Sequence, residues 1–419
     1  MQKKFTVAII GVGSRGGDAY GSIMMTRKDE FEIVALCDKK PERLEVFGEK
    51  FGVEKENRFI DEEEFFQKRR ADLLIIATLD GDHIRHCLAA FELGYDVMCE
   101  KPITDDRDEC LQLLEAQKRH GNKVLVCHVL RYAPAFLKVA ELLEQNEIGR
   151  LVLIEALERV GFWHQAHSYV RGNWRRRADT TPMILAKCCH DLDLIQFYAN
   201  SRCKSVSSVG DLTYFTKENA PEGAAKRCSE CSCAGTCPLD AKRVYMDSWE
   251  YWNRKEDTWP QNVLVTAPIT EAKLKKAIEE GPYGRCAFDC DNDVVDHQIT
   301  QMTFENGVKA TLTMTGFTAR GGRRMSFYGT NGEIILDEAE STIRVQQFGK
   351  QPYTISLKDL TEGGFGHGGG DSRIIENLYL VLSGKEESRT SLASSIESHL
   401  IGICAEESRL QGGKLISIH

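Results

Sequence analysis

The sequence lacks several features that would assign it at once to a whole class of protein. No apolar run reaches the roughly 18–20 residues of a membrane-spanning helix, so we expect no membrane segment. Basic residues are in deficit, with 54 Lys and Arg against 63 Asp and Glu and a formal net charge of −9, which argues against a nucleic-acid partner. No repeat or low-complexity tract is present. With 42% hydrophobic residues among 419, the composition is that of a folded protein of two or three domains.

We also expect no secretion signal. Lys3 and Lys4 precede a short apolar stretch, but Arg15 and Asp18 follow it at once, so a buried first strand is the better interpretation. The fifteen cysteines are odd in number, and nine of them are scattered through apolar segments, as reduced core cysteines are. We therefore expect a cytoplasmic protein without a disulfide framework.

The first part of the chain alternates strands and helices. The apolar strands show no polar alternation, and helix-length segments separate them, which predicts parallel βαβ units covered on both faces. The predicted strands are 5–10, 31–37, 73–78, 96–99 and 123–128.

The second part has a different rhythm, in which β-branched and aromatic residues alternate with polar ones. It predicts an α/β domain with a large, mainly antiparallel open sheet over residues 130–419. Asn306-Gly307 and Asn331-Gly332 predict two-residue hairpin turns, and 387–412 predicts a closing helical segment. A cysteine-rich insertion without strand rhythm occupies about 216–290. The predicted strands are 151–160, 205–214, 297–304, 308–316, 325–329, 332–337 and 342–348.

A glycine-rich turn directly follows the first strand, with the sequence Gly11-Val12-Gly13-Ser14-Arg15-Gly16. Its glycines permit a tight turn, a close backbone approach to pyrophosphate and close helix–strand packing. Asp38 ends the second strand, 22 residues after Gly16 (38 − 16), where a carboxylate binds the ribose hydroxyls. We therefore predict a Rossmann dinucleotide-binding domain over residues 1–129. The cofactor is expected to be NAD, with NADP disfavoured by Asp38 and partly favoured by Lys39 and Arg43.

A set of short motifs in a fixed order resembles the Gfo/Idh/MocA oxidoreductases. The motif that introduces the resemblance is Glu100-Lys101-Pro102 at the end of the fourth strand. The other matching segments are Thr78 with Asp80 and His83, Arg131 to Pro134, Cys189 to Asp193, Gly366 to Asp371, and 398–408. The resemblance covers nearly the whole chain except the cysteine insertion.

This resemblance implies hydride transfer between a nicotinamide and a sugar or polyol carbon. It also implies a homodimer or homotetramer assembled through the open sheet, and a cis bond before Pro102 that aims Lys101. By the same resemblance, cofactor contacts are expected from the residues of the glycine-rich turn and from Thr78, Asp80, His83, Glu100, Lys101 and Arg131.

The predicted catalytic residues are Lys101, His190 and Lys187. Lys101 lies at the carboxyl end of a parallel strand and suits a donor that stabilises a developing alkoxide. His190 suits the general base, because histidine titrates near the working pH. The family's usual pattern has an Asp four residues before this His, where this chain has Ala186. Three explanations stay open: Lys187 contacts substrate instead, Asp191 or Asp193 polarises His190, or the chemistry differs.

Candidate substrate residues follow the first strand of the second domain and recur in the later glycine-rich loop. Aromatic faces suit sugar C–H surfaces, and Arg, His and Asp suit hydroxyls or an acidic group, although the Arg cluster is equally consistent with a solvated or interface surface. The predicted residues are Trp163, His167, Tyr169, Arg171, Trp174, His367 and Asp371.

The insertion contains a cysteine cluster, Cys228-x2-Cys231-x-Cys233-x3-Cys237, followed by Cys286-x3-Cys290. A structural zinc ion bound by Cys228, Cys231, Cys237 and Cys290 would stabilise a segment with little core of its own. An iron–sulfur cluster, and thiols that are reduced or disulfide-linked, are the alternatives.

Three functions are consistent with these residues. The first is an NAD-dependent dehydrogenase of a sugar, glycoside or cyclitol. The second is a redox-cycling glycosidase that oxidises C3, eliminates the aglycone, adds water and reduces the ketone again, an activity that the resemblance also includes. The third is an NADH-sensing regulator, against which the presence of Lys101 argues.

Overall fold

The computed structural model describes residues 3–251, 253, 259–360 and 367–419. Its first sheet has six parallel strands in the order β3-β2-β1-β4-β5-β6. These strands are β1 Phe5–Ile10, β2 Phe31–Cys37, β3 Arg58–Phe59, β4 Leu73–Ile76, β5 Asp96–Cys99 and β6 Val124–Val126.

Both faces of this sheet are buried, which explains the unbroken apolar strands. On β1, Ala8 and Ile10 belong to one hydrophobic cluster, whereas Val7 and Ile9 belong to another. The residues of β4 divide between the same two clusters in the same alternating way. Because successive side chains of a strand point to opposite faces, the two clusters are the two helix-covered faces of one sheet.

The second sheet has nine strands in the order β14-β13-β12-β11-β7-β10-β9-β8-β15. Its pairs are antiparallel except β7 with β10. The fold is thus the predicted Rossmann-type sheet followed by an α/β domain with a mainly antiparallel open sheet. The strands are β7 Leu151–Arg159, β8 Cys203–Asp211, β9 His297–Phe304, β10 Lys309–Thr315, β11 Gly322–Gly329, β12 Gly332–Asp337, β13 Thr342–Gln347, β14 Tyr353–Ser356 and β15 Ile416–Ser417.

Both predicted hairpins form, but neither two-residue turn is placed correctly. Gly329 pairs with Gly332, so the β11–β12 turn consists of Thr330 and Asn331. In the β9–β10 hairpin the Phe304 N–H donates to the Val308 carbonyl, which leaves a three-residue loop. Gly307 takes φ +91° in that loop, the left-handed conformation that such loops require.

Helices cover both sheets. The helix Gly370–Leu382 follows β14 of the second sheet in the chain, but it packs on the first sheet. There, Ile374, Ile375 and Leu378 join the cluster of Val7 and Ile9. No helix in the described ranges is both long and apolar enough to cross a membrane. The α-helices are Ser22–Met25, Pro41–Phe51, Glu62–Phe65, His83–Glu92, Arg107–His120, Pro134–Glu144, Phe162–His164, Met183–Ala186, Cys189–Ala199, Ser248–Tyr251, Gln261–Leu264, Glu271–Glu280, Gly370–Leu382 and Leu392–Leu410, and wider helical turns form Ser14–Gly21, Gln165–Arg171 and Arg243–Asp247.

Candidate active site

The glycine-rich turn forms a close-packed cradle after β1. Gly11 has φ +86°, and a Cβ there would lie 2.4 Å from the Ala77 carbonyl oxygen. A Cβ on Gly16 would lie 2.2 Å from the Gly11 carbonyl oxygen. Side chains are therefore excluded at both positions. The helical segment Ser14–Gly21 begins immediately after the turn, which is the arrangement that holds a pyrophosphate at a helix N-terminus.

Asp38 provides a fixed carboxylate beside this turn. It is 7% exposed, and it accepts hydrogen bonds from the backbone N–H groups of Val12 at 2.8 Å and Lys40 at 2.9 Å. Arg43 lies 3.5 Å from the same carboxylate. The cradle and the oriented carboxylate fit the pyrophosphate and the adenosine ribose of NAD(H).

Two buried histidines hold the turn that carries Lys101. The His83 Nδ1–H donates to the Pro102 carbonyl at 2.6 Å, and the Ile103 N–H donates to His399 Nε2 at 2.9 Å. The Lys101–Pro102 bond is cis, as the resemblance implies. His83, predicted as a cofactor residue, thus lies against the backbone of the lysine turn. The role of His399 was missed, because 296 residues separate it from Ile103.

Lys101 reaches the segment that precedes the helix of His190, and its cation acts on that imidazole. Lys101 Nζ donates to the Ala186 carbonyl at 3.1 Å, and His190 lies in the first turn of the helix Cys189–Ala199. Burial, followed by the Lys101 cation, lowers the pKa of His190 well below its ordinary value. The imidazole is therefore neutral at neutral pH and able to accept a proton.

A buried network of charges lies behind these residues. Lys187 Nζ is 3.0 Å from Glu158 Oε1, and Arg323 is 3.1 Å from the other Glu158 oxygen and 2.8 Å from Asp191. Burial raises the pKa of Asp191 to about 6, although Arg323 opposes the shift. Sequence reasoning missed Glu158 and Arg323, whose only signal is a charge at an inward position of a strand.

This network bears on the missing Asp at Ala186. Asp191 is bonded to Arg323, and Asp193 accepts two hydrogen bonds of 2.7 Å from Arg131. Both carboxylates are thus engaged by arginines rather than by His190. The ion pair with Glu158 holds the Lys187 ammonium group in place.

A second network of charges joins the glycine-rich turn to the start of the helix Gly370–Leu382. Arg15 lies 2.7 Å from Glu100 and 2.8 Å from Asp371, and His367 is 3.1 Å from Asp371. Although burial works in the opposite direction, Arg15 lowers the pKa of Asp371 well below its usual range. Arg15 and Asp371, predicted to bind cofactor and substrate, therefore bond to one another. Gly366 of the predicted loop lies outside the described residues.

Several other predicted site residues have internal partners. Arg131 is buried in its pair with Asp193, so the structure gives its guanidinium a packing role. Arg171 is 1% exposed and donates to the Arg285 and Leu239 carbonyls. Both were expected to meet ligands. A sequence cannot show that a carboxylate or a carbonyl distant along the chain accepts the hydrogen bonds of these two arginines.

Some of the predicted aromatic substrate residues contact one another or other predicted site residues. Trp174 Nε1 donates to Asp80 at 3.0 Å, and its ring lies 6.5 Å from that of Tyr169. His167 is buried, stacked on Tyr283 at 5.0 Å. Thr78 Oγ1 is 3.2 Å from His86 Nδ1. Trp163 packs against Trp259, with ring centroids 5.1 Å apart.

The cysteine insertion does not contain the predicted zinc site in recognisable form. Cys228, Cys231, Cys233, Cys237 and Cys286 line one cavity with Arg171. The Cys290 thiol instead donates to the Cys286 carbonyl at 3.1 Å. Within the part of the chain that the structure describes, no three His, Cys, Asp or Glu side chains are grouped to hold a metal ion. The zinc prediction therefore finds no support.

Family models agree with this geometry. A model described as an NAD-binding Rossmann fold of an oxidoreductase family matches residues 5–128, and the C-terminal alpha/beta domain model of the same family matches residues 140–415. The chain is therefore an NAD-binding oxidoreductase. It belongs to the Gfo/Idh/MocA family, which confirms the resemblance drawn from its motifs.

Individual relatives extend the comparison. The Bacillus subtilis (strain 168) protein YteT, named as an oxidoreductase, is 25% identical over 92% of this chain and 93% of its own length. The inositol 2-dehydrogenase of Acidothermus cellulolyticus is 27% identical over 48% of this chain and 56% of its own length. That second match spans only about half of either protein.

Solved structures show the same fold over the whole chain. The NAD binding oxidoreductase from Klebsiella pneumoniae is 16% identical with a TM-score of 0.71, and the match covers 100% of both chains. An Agrobacterium radiobacter oxidoreductase in complex with NAD+, L-tartaric acid and magnesium is 17% identical with a TM-score of 0.70, over 99% of both chains. At these identities the likeness establishes the fold alone.

Proposed function

We propose that this protein transfers a hydride between NAD and a hydroxyl-bearing carbon of a sugar, glycoside or cyclitol. The observation that carries the proposal is the juxtaposition of Lys101 and His190 beside a dinucleotide cradle. The inositol 2-dehydrogenase among the relatives and the cluster of aromatic rings that includes Trp163 and Trp259 support this substrate class.

The roles of the side chains follow from their charges. The cradle would hold NAD through its pyrophosphate, and the bound cofactor would supply the hydride acceptor. Lys101 Nζ donates a hydrogen bond to the reacting oxygen and stabilises the negative charge that develops there. His190 is neutral and takes the hydroxyl proton. Lys187, directed by Glu158, binds a second substrate oxygen. Asp38 accepts hydrogen bonds from the ribose hydroxyls and would repel a 2′-phosphate, which favours NAD over NADP.

A coupled assay tests this proposal. Purified protein is mixed with NAD, or NADP in parallel, and a panel of aryl glycosides, free sugars and cyclitols, and NADH absorbance and aglycone release are recorded together. Net NADH formation without aglycone release supports the dehydrogenase. Aglycone release without net NADH would replace it with the redox-cycling glycosidase. Retained NAD binding without either reaction across the panel would contradict both.

The pH dependence of oxidation should reflect a base with a depressed pKa. The groups facing His190 are Lys101, Arg323, His128 and His367, and all of them act with burial to lower its pKa. Because the ring stays neutral as pH falls through the ordinary histidine value of about 6.5, we expect kcat/KM to stay level there and to decline only at lower pH. A profile of kcat/KM, which reports the free enzyme, measures this. A decline centred at or above the ordinary value would contradict the assignment.

We also propose a homodimer or homotetramer that forms through the outer face of the nine-stranded sheet. Val209 and Ile299 are paired across β8 and β9, and their side chains are 51% and 45% exposed. Two exposed apolar side chains side by side on this face are consistent with a protein partner there. The fifteen cysteines are all free thiols in the structure, which supports the cytoplasm as the location.

A further inference from the structure

The insertion between β8 and β9 reaches the glycine-rich turn of the first domain. Asn262, in the helix Gln261–Leu264, donates from Nδ2 to Ser14 Oγ at 3.3 Å and to Asp18 Oδ2 at 3.0 Å. Its other side-chain atom, Oδ1, is buried and has no hydrogen-bond partner among the described residues. A buried acceptor without a partner is costly, so this oxygen is available to a ligand hydroxyl at the turn.

On the substrate side, Trp259 packs against residues predicted to contact the sugar. Its ring centroid lies 5.1 Å from that of Trp163 and 5.4 Å from that of His167, and 41% of the residue is exposed. The Trp259 ring also lies 4.8 Å from that of His164, whose pKa is lowered by burial and then by the Lys187 cation. Trp259 thus presents an exposed aromatic surface beside two of the predicted substrate residues.

We propose that the cysteine-rich insertion is a wall of the active site, in which Asn262 contacts the phosphate–ribose part of NAD(H) and Trp259 supports the sugar ring. The inference rests on the proposed function and deepens it. Asn262 donates to the turn while its free oxygen accepts from a ribose hydroxyl. The indole face covers the apolar C–H surface of a pyranose or cyclitol, for which an amphipathic aromatic ring is suited. The insertion then contributes to the choice of substrate.

Separate variants test the two sides of this wall. Asn262→Ala should weaken NADH binding about tenfold, as expected for lost hydrogen bonds to the cradle, and Asn262→Asp should weaken it further through repulsion by Asp18 and the phosphates. Asn219→Ala is the matched control, because Asn219 lies in the same insertion and its side chain donates to Thr213, Tyr214 and Thr216, all within six residues of it. NADH fluorescence titration is the measurement, and it requires no known sugar.

The substrate side uses the sugars and cyclitols of the coupled assay. Trp259→Ala should raise KM about tenfold through loss of the aromatic surface, leave NADH affinity within about twofold, and be largely rescued by Trp259→Phe. Wild-type protein that binds no NADH would overturn the proposed function itself. Wild-type binding with Asn262→Ala equal to Asn219→Ala would overturn this inference alone. Equal loss of NADH affinity in Asn262→Ala, Trp259→Ala and Asn219→Ala would indicate general unfolding of the insertion and would also overturn this inference.

Discussion

Replacing Lys101 with alanine should lower kcat by about 10²–10⁴-fold, the range for removing a proton-transfer partner or an oxyanion donor. After burial, the Lys101 cation has the largest influence on the pKa of His190. Among the described groups, Lys101 Nζ bonds only to the Ala186 carbonyl, which leaves its other N–H groups for the reacting oxygen. Affinity for NADH should stay within several-fold, because the cradle and Asp38 lie on other strands. Steady-state kinetics and NADH titration measure the two effects.

Two companion variants sharpen this test. Lys101→Met keeps most of the side-chain volume without the charge and should behave like Lys101→Ala. Lys118→Ala, at an exposed position of the helix Arg107–His120, should leave both measurements unchanged. If NADH binding collapses in parallel with turnover, Lys101 holds the cofactor site together and the catalytic role assigned to it is wrong.

Arg323→Met should lower the free energy of unfolding by about 3–5 kcal/mol, the cost of leaving buried charges without their partner. Glu158 and Asp191 are each 1% exposed, and Arg323 lies 3.1 Å from one and 2.8 Å from the other. The substitution leaves the Glu158 and Asp191 carboxylates buried in a low-dielectric interior, with the Lys187 cation as the remaining ion-pair partner of Glu158. Urea unfolding at neutral pH, followed by far-UV circular dichroism, measures the loss.

The adjacent residue provides the control. Arg324 lies next along β11 and is exposed, so Arg324→Met should change stability by less than about 0.5 kcal/mol. Similar midpoints for the two variants would show that the buried ion pairs do not stabilise the fold. A double variant that also replaces Glu158 with Gln should recover part of the loss if the unpaired carboxylate is the cause.

Strand positions and the cofactor site were readable from the sequence because their signals are local. The strands Phe31–Cys37 and His297–Phe304 lie at the predicted residues, since an apolar run or an alternating pattern is complete within a few residues. The glycine-rich turn and Asp38 are likewise short motifs whose stereochemistry constrains the backbone directly. The hairpin turns were displaced, because cross-strand register decides which residues close a loop.

The sequence by itself determined the family and the parallel-then-antiparallel architecture. It also predicted the cradle and a catalytic pair, whose members occur in recognisable motifs. Only the tertiary structure decided which charged groups are free. Arg131, Arg171 and Asp371 are predicted ligand contacts, but each has an internal partner distant in sequence. An ion pair forms between atoms that lie a few ångströms apart in space. The number of residues between two positions in the chain does not reveal that distance. For the same reason, the approach of Asn262 to Ser14, across 248 positions, is visible only in the folded protein.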